Sequence, residues 1–148
     1  MRILVDTNIL LRWSDAESPE HDICLRAVDH LFERQEGVYS CAQVLIEYWA
    51  VSTRPPAVNG LGFSIVEAAK RLSRFDETLQ CLPEPADIAQ RWRKIVMDYG
   101  VSGKQAHDAR LVALMLSHGI TQLLTLNTPD FARYPEITPL TPAEALAL

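Results

Sequence analysis

Short apolar, β-branched runs alternate with longer stretches of helical periodicity along this chain, and this alternation limits its fold more than any other feature. The predicted strands are Arg2–Val5, Gly37–Ser40, Thr78–Cys81, Gln122–Thr125 and Thr138–Leu140. The predicted helices lie near Glu20–Glu36, Ala42–Ser52, Ser64–Phe75, Glu84–Tyr99 and Lys104–His118. Such alternation is typical of an α/β fold whose central sheet of about five strands is mostly parallel.

Length and charge narrow the classes of protein that this chain can belong to. At 148 residues it has the size of one domain, and we expect residues 1–148 to form a single unit. Acidic residues outnumber basic ones by 19 to 14, which gives a formal net charge of −5. An acidic chain is a poor general coat for nucleic acid, so RNA would have to meet a local basic patch or bound metal ions. The acidity also suits a basic protein partner.

The cysteines and the apolar segments indicate where the protein resides. Cys24, Cys41 and Cys81 form neither a CxxC pair nor a Cys/His cluster, so we expect no disulfide framework and no zinc site. The apolar run before Asp6 is too short for a signal peptide, and Leu111–Leu116 is too short to span a bilayer. We therefore expect a cytoplasmic protein without membrane contact.

Three acidic residues stand at positions where the pattern calls for apolar ones. Asp6 directly follows the apolar run Ile3–Val5, at the carboxyl end of the first predicted strand. Glu47 shares a predicted helical face with apolar residues at i−3, i+1 and i+4, and Asp108 with apolar residues at i+3, i+4 and i+7. Other acids fall on polar faces of their helices, where solvation explains them.

A lone ionised carboxylate on a packing face is costly, because burial opposes its charge. Each acid alone has a structural explanation as a salt bridge or a cap. Asp6-Thr7-Asn8 has the chemistry of a turn or helix cap, and Asp108 could favour the start of its helix through the dipole. However, no inward-facing lysine or arginine occurs at similar spacing. One divalent cation would account for all three acids, and oxygen ligands suit Mg²⁺ or Mn²⁺ rather than zinc.

Four short segments, spread over nearly the whole chain, surround these acids. They are ILVDTNILL at Ile3–Leu11, VLIEYW at Val44–Trp49, GKQAHDA at Gly103–Ala109 and LLTLNTPDF at Leu123–Phe131. Each segment alone is weak, but in this order and at these separations they resemble the four motifs of the PIN domain. The closest subgroup is the VapC toxins of bacterial toxin–antitoxin pairs.

This resemblance implies a three-layer α/β/α fold and a metal-dependent endoribonuclease. Asp6 and Asp108 would bind Mg²⁺ or Mn²⁺, and Glu47 would be a further ligand or would orient a metal-bound water. Hydrolysis of RNA would leave 5′-phosphate and 3′-hydroxyl ends. The resemblance also implies a homodimer and a small VapB-like antitoxin that masks the site.

The fourth segment departs from the family pattern. Many members have an acid where this chain has Asn127, which offers a carbonyl ligand but no charge. Asp130 could supply the fourth carboxylate, or it could cap the short turn before Phe131, and both interpretations remain open. Because one charge is lost, we expect one tightly held metal rather than two.

Three further residues are candidates for contacts with the substrate. Thr7 and Asn8 could bind the first carboxylate, a water or the RNA phosphate, or they could cap a turn. Lys104, at the start of a predicted helix, could meet a phosphate together with the helix amino end, or it could be an exposed lysine.

Two other functions remain open for the same fold. The chain could be a housekeeping RNA-processing nuclease, or a degenerate PIN domain that acts as a scaffold or binds RNA without cleaving it. The presence of Asp6, Glu47 and Asp108 argues against the degenerate form, and Asn127 argues for it. A haloacid-dehalogenase phosphatase is disfavoured because Asn8 stands where it needs a second acid, and a metal-free, histidine-based ribonuclease is disfavoured because the four histidines are scattered.

Overall fold

A computed structural model describes all residues, 1–148, and contains five strands and seven α-helices. The strands are β1 (Arg2–Val5), β2 (Gly37–Cys41), β3 (Gln80–Leu82), β4 (Gln122–Leu124) and β5 (Thr138–Leu140). The helices are α1 (Thr7–Ser14), α2 (His21–Glu33), α3 (Ala42–Thr53), α4 (Ile65–Thr78), α5 (Ile88–Asp98), α6 (Gln105–Ser117) and α7 (Pro142–Leu146). The predicted α/β class is confirmed, and the sheet is parallel throughout.

The sequence pattern did not predict the two shortest helices. α1 spans only eight residues and begins directly after β1, where Asp6 accepts a hydrogen bond from the Thr7 amide as its N-cap. α7 spans five residues and begins with a capping box formed by Thr141 and Glu144. Both segments are too short to show the repeated apolar spacing on which helix prediction depends.

The predicted loop between Thr53 and Gly62 is largely irregular in the structure. Thr53 is the last residue of α3, and a single 3₁₀ turn covers Pro56–Val58. Asn59, directly after that turn, has a positive φ of 65°, a conformation that asparagine tolerates better than most residues. The prolines and glycines of this segment therefore connect α3 to α4, as their composition indicates.

The strand order β3-β2-β1-β4-β5 places the first strand at the centre of the sheet. The chain moves outward from β1 to β2 and β3, and then returns to the other side of β1 to form β4 and β5. The direction of winding therefore reverses between β1 and β4. In open α/β sheets, a site lies outside the carboxyl ends of the strands at such a reversal.

The core is built around the central strand and α6. Ile3, Leu4 and Val5 of β1 are fully buried, since helices cover both faces of the sheet. α6 contributes a continuous buried run, Leu111–Met115. Because β1 and α6 are packed on several sides, the backbone that carries Asp6 and Asp108 at their ends is held in place by the core.

Candidate active site

The first predicted site residue lies at the reversal point of the sheet. Val5 pairs with Leu124 in the register of β1 and β4, so the next residues, Asp6 and Thr125, leave the sheet side by side. The Asp6 backbone amide donates to the Leu124 carbonyl over 2.9 Å and extends the pairing by one step. The Asp6 side chain thereby projects beyond the carboxyl edge of the sheet, half-buried.

Three donors orient the Asp6 carboxylate. The Thr7 amide donates to Oδ1 over 2.8 Å, and the Thr125 hydroxyl donates to Oδ2 over 2.7 Å. The Asn8 amide nitrogen donates to the same Oδ2 over 3.2 Å. Asn8 is held in turn by the Leu126 amide, which donates to its Oδ1 over 3.1 Å. The carboxylate is therefore fixed by α1 on one side and by the residues after β4 on the other.

Glu47 reaches the same edge from α3. It is half-buried, and its Oε2 accepts a 3.0 Å hydrogen bond from the Thr7 hydroxyl. The Gln43 side chain, one turn earlier in α3, donates to Glu47 Oε1 over 3.3 Å. Thr7 thus connects the two acids, because its amide binds Asp6 and its hydroxyl binds Glu47.

Asp108 approaches from the first turn of α6 and has no cationic partner. Its side chain is half-buried and forms neither a salt bridge nor a hydrogen bond. Burial raises the pKa of Asp108 to about 6, and repulsion from other carboxylates is the next cause. Those carboxylates are, in decreasing order of effect, Asp130, Asp6 and Glu47. The structure therefore places three other acids within electrostatic range of Asp108.

The pKa of Asp6 is also affected by a neighbouring carboxylate. Burial raises the pKa of the Asp6 carboxyl above its usual value, and the negative charge of Glu47 adds to this effect. Hydrogen bonds from Thr125, Thr7 and Asn8 act in the opposite direction, because they stabilise the ionised form. None of the protein's ion pairs includes Asp6, Glu47 or Asp108, so the negative charge of this edge has no bonded basic partner.

Asp130 and Asn127, the two candidates for the fourth metal ligand, differ in their surroundings. Asp130 lies in a 3₁₀ turn, Thr128–Phe131, and is exposed, yet its charge is the first among those that raise the pKa of Asp108. The Asn127 side chain is exposed and forms no hydrogen bond, whereas its backbone amide donates to the Thr125 hydroxyl over 3.1 Å. Of the two side chains, the acidic one is therefore coupled to the predicted site.

Lys104 and His107 lie at the start of α6. Lys104 is the residue before the helix, and its exposed side chain forms no hydrogen bond or ion pair. His107 is also exposed, and its charge acts to lower the pKa of the neighbouring Asp108, against the larger effect of burial. Both positions leave the side chains free to meet an incoming anion.

Sequence analysis missed three polar residues that contact the candidate site. The sequence pattern predicts Thr125 only as the end of a strand, whereas in the structure it is fully buried and donates to Asp6. Gln43 and Arg110 carry no sequence signal that links them to the three acids. Arg110 donates to Gln43, which donates to Glu47. Only the Thr125 position, directly after an apolar strand, could have suggested a role, because Asp6 has the equivalent position after β1.

The donor chemistry of this edge fits a divalent cation that prefers oxygen. Asp6, Glu47 and Asp108 offer only carboxylate oxygens, which suit Mg²⁺ or Mn²⁺. Asp108 is held among like charges without a partner, and a cation would relieve that repulsion. As the side chains stand, no three acidic, histidine or cysteine residues approach closely enough to form a complete ligand cluster. Binding would therefore require the carboxylates to move together.

These features define an α/β protein with an acidic site at the reversal point of a parallel sheet. The PIN domain family profile matches residues 3–137, and the chain belongs to this family. The resemblance noted from the four sequence segments is thus confirmed at the level of the family.

Solved structures of similar fold come from several bacteria. VapBC-1 from nontypeable Haemophilus influenzae matches with a TM-score of 0.69 at 14% identity, over 97% of this chain and 99% of that one. VapBC2 from Rickettsia felis, bound to a DNA fragment from its promoter, matches with a TM-score of 0.68 at 16% identity, over 95% and 98%. VapC20 from Mycobacterium tuberculosis, a sarcin–ricin loop cleaving toxin, matches with a TM-score of 0.60 at 21% identity, over 82% and 86%.

At these identities the similarity establishes the shared fold. Comparison with curated protein sequences finds no significant match. Among the helices of this protein, none is both long and apolar enough to cross a membrane.

Proposed function

We propose that this chain, as one PIN domain over residues 1–148, is a metal-dependent endoribonuclease and the toxin of a toxin–antitoxin pair. The observation that carries the proposal is the convergence of Asp6, Glu47 and Asp108, from three separate elements, on one sheet edge without a neutralising cation. A structural role alone would favour a paired lysine or arginine there, because unpaired buried charge is costly.

The proposed metal ligands are Asp6 and Asp108, with Glu47 as a third ligand or as the residue that orients a water. When bound, Mg²⁺ or Mn²⁺ supplies a water of lowered pKa and neutralises charge that develops on the phosphate. Asp130 is the proposed fourth carboxylate, because its charge acts on Asp108. Asn127 contributes a neutral carbonyl at most, so we propose a single tightly bound ion.

The remaining residues of the edge orient these groups and meet the substrate. Thr7 holds Asp6 through its amide and Glu47 through its hydroxyl, so it sets their relative position. Asn8 holds Asp6 and is itself fixed by the Leu126 amide. Of the roles left open by the sequence, which are contact with the first carboxylate, a water or the RNA phosphate and capping of a turn, these bonds favour contact with the carboxylate. We therefore propose a positioning role for both residues rather than direct contact with the phosphate. Lys104, exposed before α6, is the candidate for that contact.

The toxin role rests on the family and on what its structural neighbours are. VapC20 of Mycobacterium tuberculosis is a sarcin–ricin loop cleaving toxin, and the Haemophilus influenzae and Rickettsia felis structures are VapBC assemblies. We therefore propose RNA as the substrate, a VapB-like antitoxin as the partner and a homodimer as the active assembly. The net charge of −5 suits a basic antitoxin.

Cleavage of total cellular RNA by wild type and Asp6→Asn, with Mg²⁺ or with a chelator, tests the nuclease. We expect wild type with Mg²⁺ to cut the RNA and leave 5′-phosphate and 3′-hydroxyl ends, and both Asp6→Asn and the chelator to stop cleavage. Asp76→Asn is the matched control, because Asp76 is an exposed acid of α4 that forms no ion pair.

Three results would contradict the proposal. Fragments that end in 2′,3′-cyclic phosphate would indicate attack by the ribose 2′-hydroxyl instead of water. Equal cleavage by wild type and Asp6→Asn, with the fold of both verified, would remove Asp6 from the chemistry. Absence of any cleavage by folded, metal-loaded wild type would favour a PIN scaffold without nuclease activity.

A further inference from the structure

One side chain that the proposed chemistry does not use lies between two of the acidic residues. Gln43, in the first turn of α3, lines a surface cavity of about 260 Å³ together with Ile46, Glu47, His107 and Arg110. The cavity therefore connects the α3 carboxylate with the start of α6. A polar residue at this place can act on both helices.

The Gln43 amide nitrogen donates to both helices that carry acids. It donates to Glu47 Oε1 over 3.3 Å, and to the backbone carbonyl of His107 over 2.8 Å. His107 directly precedes Asp108. A single NH₂ group thus joins the Glu47 side chain to the backbone next to Asp108, across 64 residues of sequence.

Arg110 fixes the orientation of the Gln43 amide. Its Nη1 donates to Gln43 Oε1 over 2.9 Å, and its Nη2 forms an ion pair with Glu84 in the segment after β3. A guanidinium can only donate, so the amide oxygen must face Arg110 and the NH₂ group must face Glu47. A flipped amide would set donor against donor at Arg110 and oxygen against oxygen at Glu47.

The hydrogen bonds of Gln43 hold α3 and α6 together where their carboxylates repel each other. Glu47 and Asp108 repel each other, and neither carboxylate forms an ion pair, because the guanidinium of Arg110 is bonded to Gln43 and Glu84 instead. Repulsion between like charges favours conformations in which the two helices separate. A neutral donor that bonds both helices opposes that separation without neutralising either carboxylate.

We propose that Gln43, locked in orientation by Arg110, is a positioning residue that opposes the separation of α3 and α6 and so keeps Glu47 and Asp108 near enough to close on a shared divalent cation. The proposal rests on the function proposed above, because it gives the two carboxylates a shared metal. Arg110 acts here through Gln43, since both of its terminal nitrogens are already bonded, to Gln43 and to Glu84.

Mn²⁺ binding to the purified protein, followed by the electron paramagnetic resonance signal of the free ion, tests this role without requiring RNA. Gln43→Met preserves the length of the side chain and removes all three hydrogen bonds. Residues that orient metal ligands typically contribute roughly 10–100-fold to affinity or activity, so we expect the Mn²⁺ dissociation constant to rise by roughly that factor. Gln90→Met is the matched control, because Gln90 is exposed on α5 and forms no side-chain hydrogen bond.

A double variant tests whether Arg110 acts through Gln43. If it does, Arg110→Met weakens Mn²⁺ binding, and the Gln43→Met/Arg110→Met double variant binds no more weakly than Gln43→Met alone. Urea denaturation of each metal-free variant separates a change at the site from a loss of folding. Additive effects of the two substitutions would overturn the part assigned to Arg110.

The possible failures can be distinguished. If wild type binds Mn²⁺, Asp6→Asn does not, and folded Gln43→Met binds like wild type, then the role of Gln43 is overturned and the proposed function stands. If folded wild type binds no Mn²⁺, both proposals are overturned. A fall in kcat for RNA cleavage by Gln43→Met, with KM unchanged, would support a role in arranging the metal rather than in binding RNA.

Discussion

At the scale of residues, Thr125 is the best example of a side chain whose importance depends on its neighbours. It is fully buried, donates to Asp6 over 2.7 Å, and accepts hydrogen bonds from the Asn8 side chain and the Asn127 amide. A threonine after a strand is ordinary in sequence. Its three partners come from both sides of the reversal point, so it joins the first and fourth sequence segments.

Thr125→Val, which preserves shape and removes the hydroxyl, is expected to reduce RNA cleavage by roughly 10–100-fold, because Asp6 loses its shortest side-chain hydrogen bond. Initial rates of oligoribonucleotide cleavage at saturating Mg²⁺ measure the effect. Thr121→Val is the control, since Thr121 is exposed and forms no side-chain hydrogen bond. Unchanged rates in Thr125→Val would show that Asp6 does not need this donor.

Asp108 makes the metal-free protein sensitive to pH. Its pKa rises from 3.8 to about 6 on folding, so the folded protein holds this proton more tightly than the unfolded chain does. The free energy of unfolding therefore falls as the pH rises from about 4 to about 6, and it loses nothing more from this group at higher pH. We expect Asp108→Asn to have the stability of wild type near pH 4 and to exceed it near pH 7 by about 1 kcal/mol, after discounting for solvent screening at this half-exposed site. Urea unfolding at both pH values, with a chelator present, measures the difference. A constant difference between the two proteins would contradict it.

At the scale of elements, the long helices and all five strands follow from sequence pattern, whereas the shortest helices depend on their caps. The predicted strands Arg2–Val5 and Thr138–Leu140 have the bounds found in the structure, and the other strands differ by one or two residues at their ends. α7 has only five residues, but its fully buried Ala145 and its capping box hold it against the core. Its stability therefore depends on a few identifiable bonds.

Thr141→Ala is expected to destabilise the protein by about 1 kcal/mol, because the Glu144 amide at the start of α7 loses its acceptor. The midpoint of urea unfolding measures this change. Thr141→Ser keeps the hydroxyl and should retain most of the stability. Equal losses in the serine and alanine variants would show that packing of the threonine methyl group, rather than the cap, is responsible.

At the scale of the whole molecule, one topological fact organises the site. Because β1 is central and the winding reverses between β1 and β4, residues separated by more than one hundred positions meet at a single edge. Glu47 lies at the same edge on α3, and Asp108 lies there on α6, so separate parts of the chain contribute the two carboxylates. Any ion held there would join these parts and would stabilise the fold as a whole.

We therefore expect Mn²⁺ to raise the thermal unfolding midpoint, because the folded protein binds the ion and the unfolded chain does not. At a free concentration of 100 times the dissociation constant, the stabilisation is about 2.7 kcal/mol. Differential scanning fluorimetry of wild type and the Asp6→Asn/Asp108→Asn double variant makes the comparison. An equal shift in both proteins, or an equal shift with KCl of matched ionic strength, would rule out specific binding at this edge.

Local sequence patterns are sufficient to predict the α/β class, most element bounds and the identity of three candidate carboxylates. These follow from local rules, since periodicity reports which side chains face the core, and an acid at an apolar position stands out against it. α1 was missed because its eight residues are too few for a periodic signal. The metal-binding and catalytic roles of the carboxylates remain predictions.

The neutral side chains that support those carboxylates can be identified only from their positions in the folded protein. Thr125 reaches Asp6 because β4 lies beside β1, and Gln43 reaches the His107 carbonyl because α3 and α6 converge at the same edge. A hydrogen bond requires two atoms to lie about 3 Å apart. For residues so distant along the chain, that proximity depends on strand order and helix packing rather than on any local pattern.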